Sequence, residues 1–144
     1  MYRLDRAEAV EVLLVHPGGP FNVNKDLGAW SIPKGEFDVG EEILQTARRE
    51  FYEELGSHIH GEFILLKPVR QKGGKTVHAY AVEGNFDTSD ITSNTFRQEW
   101  PPHSGTMQDF PEIDRAEWFD LAEASTKINQ AQTAFLDQLA DFLK

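Results

Sequence analysis

The sequence contains no cysteine, which excludes a disulfide framework and a zinc–cysteine centre. Positive charge is scarce as well: 14 Lys and Arg stand against 24 Asp and Glu, for a formal net charge of −10. That balance argues against broad nucleic-acid binding or docking on an anionic membrane, so a polyanionic ligand would need metal ions and a local basic patch. No apolar run approaches the roughly 20 residues of a membrane span. The opening MYRLDRAEAVEVLLV sets charges too close to a short apolar run for a secretion signal, and a cytoplasmic location is the default expectation. Linkers, repeats and low-complexity tracts are absent. With 40% hydrophobic and 11% aromatic residues, a chain of 144 can bury one core, so a single domain over 1–144 is expected.

The most informative stretch is GEFDVGEEILQTARREFYEELGS, residues 35–57. It opens as a turn, punctuated by Pro33, Gly35, Asp38 and Gly40. From Glu41 to Leu55 it is rich in helix formers, with Leu44, Ala47, Phe51 and Leu55 at spacings of three and four on one stripe, and Gly56 stands where a helix cap belongs. Glu50, Glu53 and Glu54 cluster on one flank of this helix. Like charges at such spacings cost a few tenths of a kcal/mol per pair, which suggests a neutralising cation. Carboxylate oxygens select a hard ion, Mg²⁺ first and Mn²⁺ second. For the three glutamates alone the plainer alternative is a solvated acidic face partnered by Arg48 and Arg49.

The full spacing decides between them. Gly35, five residues, Glu41, seven residues, Arg49-Glu50, a bulky apolar residue at Phe51, one residue, Glu53-Glu54, one residue and Gly56 resemble the signature of the Nudix hydrolases position by position. One position departs: Ser57 stands where the motif closes on a large aliphatic residue, so the packing role is expected to pass to Ile59. The resemblance implies an α/β fold with a mixed sheet sandwiched between helices, and hydrolysis of a diphosphate linkage in a nucleoside polyphosphate. It implies Glu53 and Glu54 as principal metal ligands, Glu50 as a further ligand or base, and the Gly35 carbonyl as another metal contact. Arg49 would orient the carboxylates, and Glu41 would support the helix and pair with Arg49. Pro33-Lys34 before the motif glycine resembles many dinucleoside polyphosphate hydrolases, giving Lys34 a phosphate contact; a solvated lysine is the alternative. SNTFRQEWPP and the general layout also resemble bacterial Nudix proteins described only as predicted nucleoside triphosphate pyrophosphohydrolases.

Elsewhere, residues 8–15 read as a central strand, apolar on both faces. Relatives usually carry an apolar strand before it, whereas here only MYRLDRA precedes it; either the start is shortened or residues 1–7 form a stub. The loop 16–28 offers Phe21 and Lys25 to a substrate. Residues 59–70 and 76–83 read as strands joined at Gly73-Gly74, with Lys67, Arg70, Lys72 and Lys75 making a basic region. Arg70 reaches distal phosphates in the functional reading, and protects a sheet edge in the other. Residues 84–112 read as a long irregular excursion in which Trp100 stacks on a base and Arg97 holds phosphate, or in which Phe96 and Trp100 pin the loop. Glu112 lies before Trp118 as in many relatives, which makes it first choice for a general base or an additional ligand. From Leu121 the chain reads as helical, with an apolar face of Ala131, Phe135, Leu136, Leu139 and Phe142. The five scattered histidines suggest no site. The partner expected is a small nucleotide, dinucleoside polyphosphates before nucleoside triphosphates. A homodimer would be common for the family, although no interface stripe is decisive. A catalytically silent nucleotide-binding or sensing domain is the other class.

Overall fold

The computed structural model describes residues 1–34, 42–71 and 73–144. Its strands are β1 (Tyr2–Leu4), β2 (Val10–Pro17), β3 (Ile64–Leu65), β4 (Val69–Arg70), β5 (Thr76–Val77), β6 (Tyr80–Ala81), β7 (Thr95–Glu99), β8 (Met107–Pro111) and β9 (Ile113–Asp120). Its helices are α1 (Ile43–Leu55), α2 (Leu121–Lys127) and α3 (Thr133–Phe142), the last preceded by a 3-10 turn at Gln130–Gln132.

β2 lies between β1 and β9, antiparallel to both. Past the end of β1, Val15 exchanges two backbone hydrogen bonds with Ser31. On the other edge of β1 the pairing turns parallel, with Tyr2 N–H donating to Val82 and Gly84 N–H donating to Tyr2. The sheet is therefore mixed. Alternation along β2 sorts its side chains onto two layers. Val12 and Leu14 pack with Phe119, Ala124, Ile128, Leu136 and Leu139 on the α2–α3 side. Leu13 and Val15 pack with Phe51, Leu55, Ile59, Ile113 and Ala116 on the α1 side. β2 is thus the strand apolar on both faces that its composition predicts, and each fully buried leucine contributes roughly 1.5–3 kcal/mol. Residues 2–4 are the stub, paired to β2.

α1 ends as its sequence predicts. Gly56 takes φ 78° and donates its N–H to Tyr52 O, and a Cβ there would sit 2.9 Å from Thr92, so only glycine fits without strain. Ser57 is half-buried, and Ile59 is buried in the cluster of Phe51 and Leu55. Four expectations need correction or restriction. The strands expected over 59–70 and 76–83 shrink to two short ladders, β3–β6 and β4–β5. Pro68 has no N–H to give, and the Lys67 backbone bonds to the Gln138 side chain of α3 instead, at 2.7 and 3.0 Å. Residues 84–112 are not irregular throughout, because β7 and β8 form an antiparallel ribbon. Phe142, assigned to the apolar face of α3, is 48% exposed. The parts expected of Gly35, Asp38, Gly40, Glu41 and Lys72 fall outside the described residues.

Candidate active site

The carboxylates of α1 do not share one environment. Arg49 Nη1 donates to Glu50 Oε1 at 2.9 Å and to both oxygens of Glu53 at 3.2 and 3.1 Å. Glu54 is buried, 8% exposed, and its Oε2 has no hydrogen-bond partner among the described residues. The Lys34 backbone N–H supports the Glu54 carboxyl. Burial is the largest influence on that carboxyl, and with the charge of Glu50 and a smaller push from Glu112 it raises the Glu54 pKa to about 8. Glu50 is also raised, first by burial and then by Glu53 and Glu112, against the pull of Arg49. Both shifts arise without any cation, in a site where negative charge is crowded and poorly solvated.

Backbone hydrogen bonds assemble the rest of the site around the end of α1. Thr92 N–H donates to Leu55 O at 3.2 Å and Asn94 N–H to Glu53 O at 2.7 Å. Glu112 N–H donates to Asn94 O, and Gly18 N–H to Glu112 O, each at 2.8 Å. Gly18 cannot carry a side chain, because a Cβ would lie 2.0 Å from Pro111 O. The chain from Glu53 through Asn94 and Glu112 to Gly18 sets the exposed Glu112 carboxylate close enough to act on Glu50 and Glu54.

The proposed substrate contacts are placed less uniformly. Lys34 lines a cleft of about 390 Å³ that runs between α1, β2, the residues of β5 and β6, and α3. Its walls are mostly aliphatic and aromatic, including Ile32, Ala47, Phe51, Phe63, Val77 and Tyr80, with Gln71, Lys75 and His78 as polar members. Arg70 is exposed on β4 and does not line the cleft; its neighbour Gln71 does. Arg97 pairs with Asp109 at 3.7 Å, both exposed. Trp100 meets Phe21 edge to face, with ring centroids 5.4 Å apart. Six residues of strand at about 3.3 Å each carry Trp100 roughly 20 Å along the ribbon from Asn94. Lys34 and Glu112 lie beside Glu54, whereas the contacts of Arg97 and Trp100 run to Asp109 and Phe21.

Two polar groups escaped sequence reasoning. Gln132, fully buried, accepts from Ile32 N–H at 3.1 Å and meets Ser31 Oγ and Gln71 Oε1, which holds the strand leading into Lys34. His16, also fully buried, has Nδ1 2.7 Å from Asp114 Oδ1 and Nε2 2.7 Å from the Lys25 carbonyl. The only hint for His16 was its place at the end of an apolar run; for Gln132 there was none.

Among the described residues no three acidic or imidazole side chains are gathered as a ready cage for an ion. The donor set nonetheless fits a hard cation. All its members offer oxygen, the buried Glu54 Oε2 has no partner among the described residues, and the raised pKa of Glu54 shows that burial disfavours its charged form.

The family model described as NUDIX domain matches residues 2–139. Among curated proteins, the Xenopus laevis protein named nucleoside diphosphate-linked moiety X motif 6 is 49% identical over 101 residues, 69% of this chain. The chain spans 41% of that relative's length. Among solved structures, a C. elegans Ap4A hydrolase binary complex superimposes with a TM-score of 0.64 at 22% identity, covering 99% of this chain and 92% of the other. The NUDIX domain of Shewanella oneidensis NrtR, complexed with ADP ribose, gives 0.65 at 18% identity, covering 99% and 83%. At those identities the likeness is one of fold.

Proposed function

This chain belongs to the Nudix hydrolase family, and from that premise we propose that it hydrolyses a diphosphate linkage in a nucleoside polyphosphate, with Mg²⁺ as the preferred cation and Mn²⁺ as a substitute. The observation that carries the proposal is Glu54, a buried carboxyl with one oxygen unpartnered among the described residues and a pKa raised to about 8, beside Glu50 and within reach of Glu112. Glu50, Glu53 and Glu54 would hold the cation; Gly35 is a further ligand on the family motif alone. When bound, a divalent cation screens phosphate oxygens and acidifies water.

The chain's own residues do the remaining work. Arg49 keeps Glu50 and Glu53 in one orientation by charge-assisted hydrogen bonds. Lys34 holds Glu54 through its backbone and offers its ammonium to a phosphate. Glu112, exposed at the rim, takes a proton from water as the new P–O bond forms and the P–O–P bridge opens. The cleft beside Lys34 seats the nucleoside. Dinucleoside polyphosphates are the favoured substrates, because Lys34 and the basic residues around β4 and β5 suit a long polyphosphate and the Trp100–Phe21 pair offers an aromatic surface to a second nucleoside. Nucleoside triphosphates come second. Arg70 and Arg97 remain proposed phosphate contacts only for a substrate that extends to the rim. The default location is the cytoplasm; no described helix is long and apolar enough to cross a membrane.

The test is ion-exchange product analysis after incubation with Mg²⁺ and diadenosine tetraphosphate, dATP, ADP-ribose or UDP-glucose. Fastest cleavage of the dinucleotide, with products that locate one cut, is the expected outcome. Cleavage of none under Mg²⁺ or Mn²⁺, with ligand-induced thermal shifts retained, would favour a binding domain instead.

A further inference from the structure

β9 does not run straight into β2. Residues from Asp120 to Arg115 pair one for one with Glu11 to His16, and then Pro17 pairs with Ile113. Asp114 is the residue left over, so the strand carries a β-bulge at this point. The packing records it: Ile113 and Ala116 lie three apart in sequence, yet both pack in the α1-side cluster, which simple alternation forbids. A bulge bends its strand and re-aims the side chains before it, and the residue just before Ile113 is Glu112.

The extra residue is held in place. Asp114 Oδ1 lies 2.7 Å from Nδ1 of His16, on the opposite strand, in a ring with no exposed surface. The Lys25 carbonyl is only an acceptor, so His16 Nε2 donates to it at 2.7 Å, and a second hydrogen lies between Nδ1 and the Asp114 carboxyl. Trp30 closes the ring's side with centroids 5.0 Å apart. One imidazole therefore ties the bulge in β9, the end of β2 and the loop before Trp30 into one body. Nothing else proposed for this protein uses the contact.

We propose that His16 and Asp114 form a positioning latch: they fix the bulge in β9 and thereby the face of the strand from which Glu112 reaches the α1 carboxylates. The inference rests on the proposed role of Glu112 and goes beyond it, since neither latch residue touches substrate. With the latch intact, the Gly18 N–H to Glu112 O bond is 2.8 Å and the backbone at Glu112 is held. Without it, the register at Ile113 is free to slip by one residue, and Glu112 turns away from Glu50 and Glu54.

A double-mutant cycle in the full chain tests this, using Mg²⁺ and diadenosine tetraphosphate or whichever panel nucleotide is cleaved fastest. Asp114→Ala is expected to lower kcat by about tenfold or more with KM within about twofold, and in a Glu112→Gln background it is expected to change kcat by less than about twofold. Asp114→Asn, which keeps a polar partner for His16, is expected to restore most of the loss. A readout independent of turnover is amide hydrogen exchange of Gly18 in the metal-free protein, expected to rise about tenfold in Asp114→Ala while α1 amides stay unchanged. Equal losses in both backgrounds, or unchanged Gly18 exchange, would overturn the latch. If Asp114→Ala is poorly folded by circular dichroism, Asp114→Asn and His16→Gln carry the exchange measurement, and parent-like protection at Gly18 in both overturns it. Full activity in Glu112→Gln alone would overturn the role given to Glu112, whereas its loss with a parent-like Asp114→Ala would overturn the latch and leave that role standing.

Discussion

Glu54 is where the cost of the site is concentrated. Its carboxyl holds a proton to about pH 8 in the absence of metal, mainly because burial disfavours the charge, whereas the unfolded chain releases that proton near 4.5. Between those values the folded state binds more protons than the unfolded state, so this group's contribution to stability is complete below about 4.5 and is lost as pH rises toward about 8. Calorimetry in chelator is expected to give a melting temperature that falls across this window in the parent and much less in Glu54→Gln. At pH 8 the Glu54→Gln protein should be the more stable of the two without metal, and the parent should gain more when Mg²⁺ is added. Identical slopes in the two proteins would remove Glu54 from the account. Arg49→Lys tests the neighbouring contact. The bonds to Glu50 and Glu53 all leave from Nη1, a position that the shorter lysine side chain does not reach in the same way, and a loss of about tenfold or more in kcat is expected from steady-state kinetics at saturating Mg²⁺.

At the scale of elements, α1 and its cap bring the motif to the rest of the chain. Gly56→Ala forces a side chain into φ 78° and against Thr92. Denaturant unfolding is expected to register a loss of roughly 1–3 kcal/mol. Because Thr92 and Asn94 bond to Leu55 and Glu53, the same change should also lower activity. This helix was legible in the sequence, since its signals are local: periodic apolar residues, a terminal glycine and charged positions in register. β2 was legible for a similar reason, because a strand buried on both faces reads as a continuous apolar run. The β3–β6 and β4–β5 ladders were not, because what replaces the lost strand pairing at Lys67 is Gln138, 71 residues further on. The ribbon of β7 and β8 was missed because TFRQE and MQDFP are half-exposed strands without a strong alternation of apolar residues. His16 and Gln132 belong to the same class of failure: a polar side chain buried by distant partners looks in sequence like any other.

For the molecule as a whole, charge and cation binding are coupled. A chain of net charge −10 that crowds Glu50, Glu54 and Glu112 together is expected to gain stability from any divalent ion that binds only the folded state, by an amount that grows with the logarithm of ion concentration above its Kd. Thermal unfolding at several Mg²⁺ concentrations should trace that dependence, and chelator should abolish both the gain and the activity. The parts legible from sequence, the motif carboxylates with Lys34 and Glu112, coincide with the region where α1, Asn94 and Gly18 converge. The candidate substrate contacts were less legible, because Arg70, Arg97 and Trp100 lie on β4, on β7 and just past β7, and only the folded chain sets them relative to α1. The central claim is that the α1 carboxylates carry metal-dependent hydrolysis. It is tested most directly by the rate of Mg²⁺-dependent nucleotide cleavage in the parent against Glu54→Gln and Glu53→Gln, all shown to be folded by circular dichroism. A loss of about a hundredfold or more in kcat is expected for Glu54→Gln, with a smaller loss for Glu53→Gln; full activity in both variants would contradict the account.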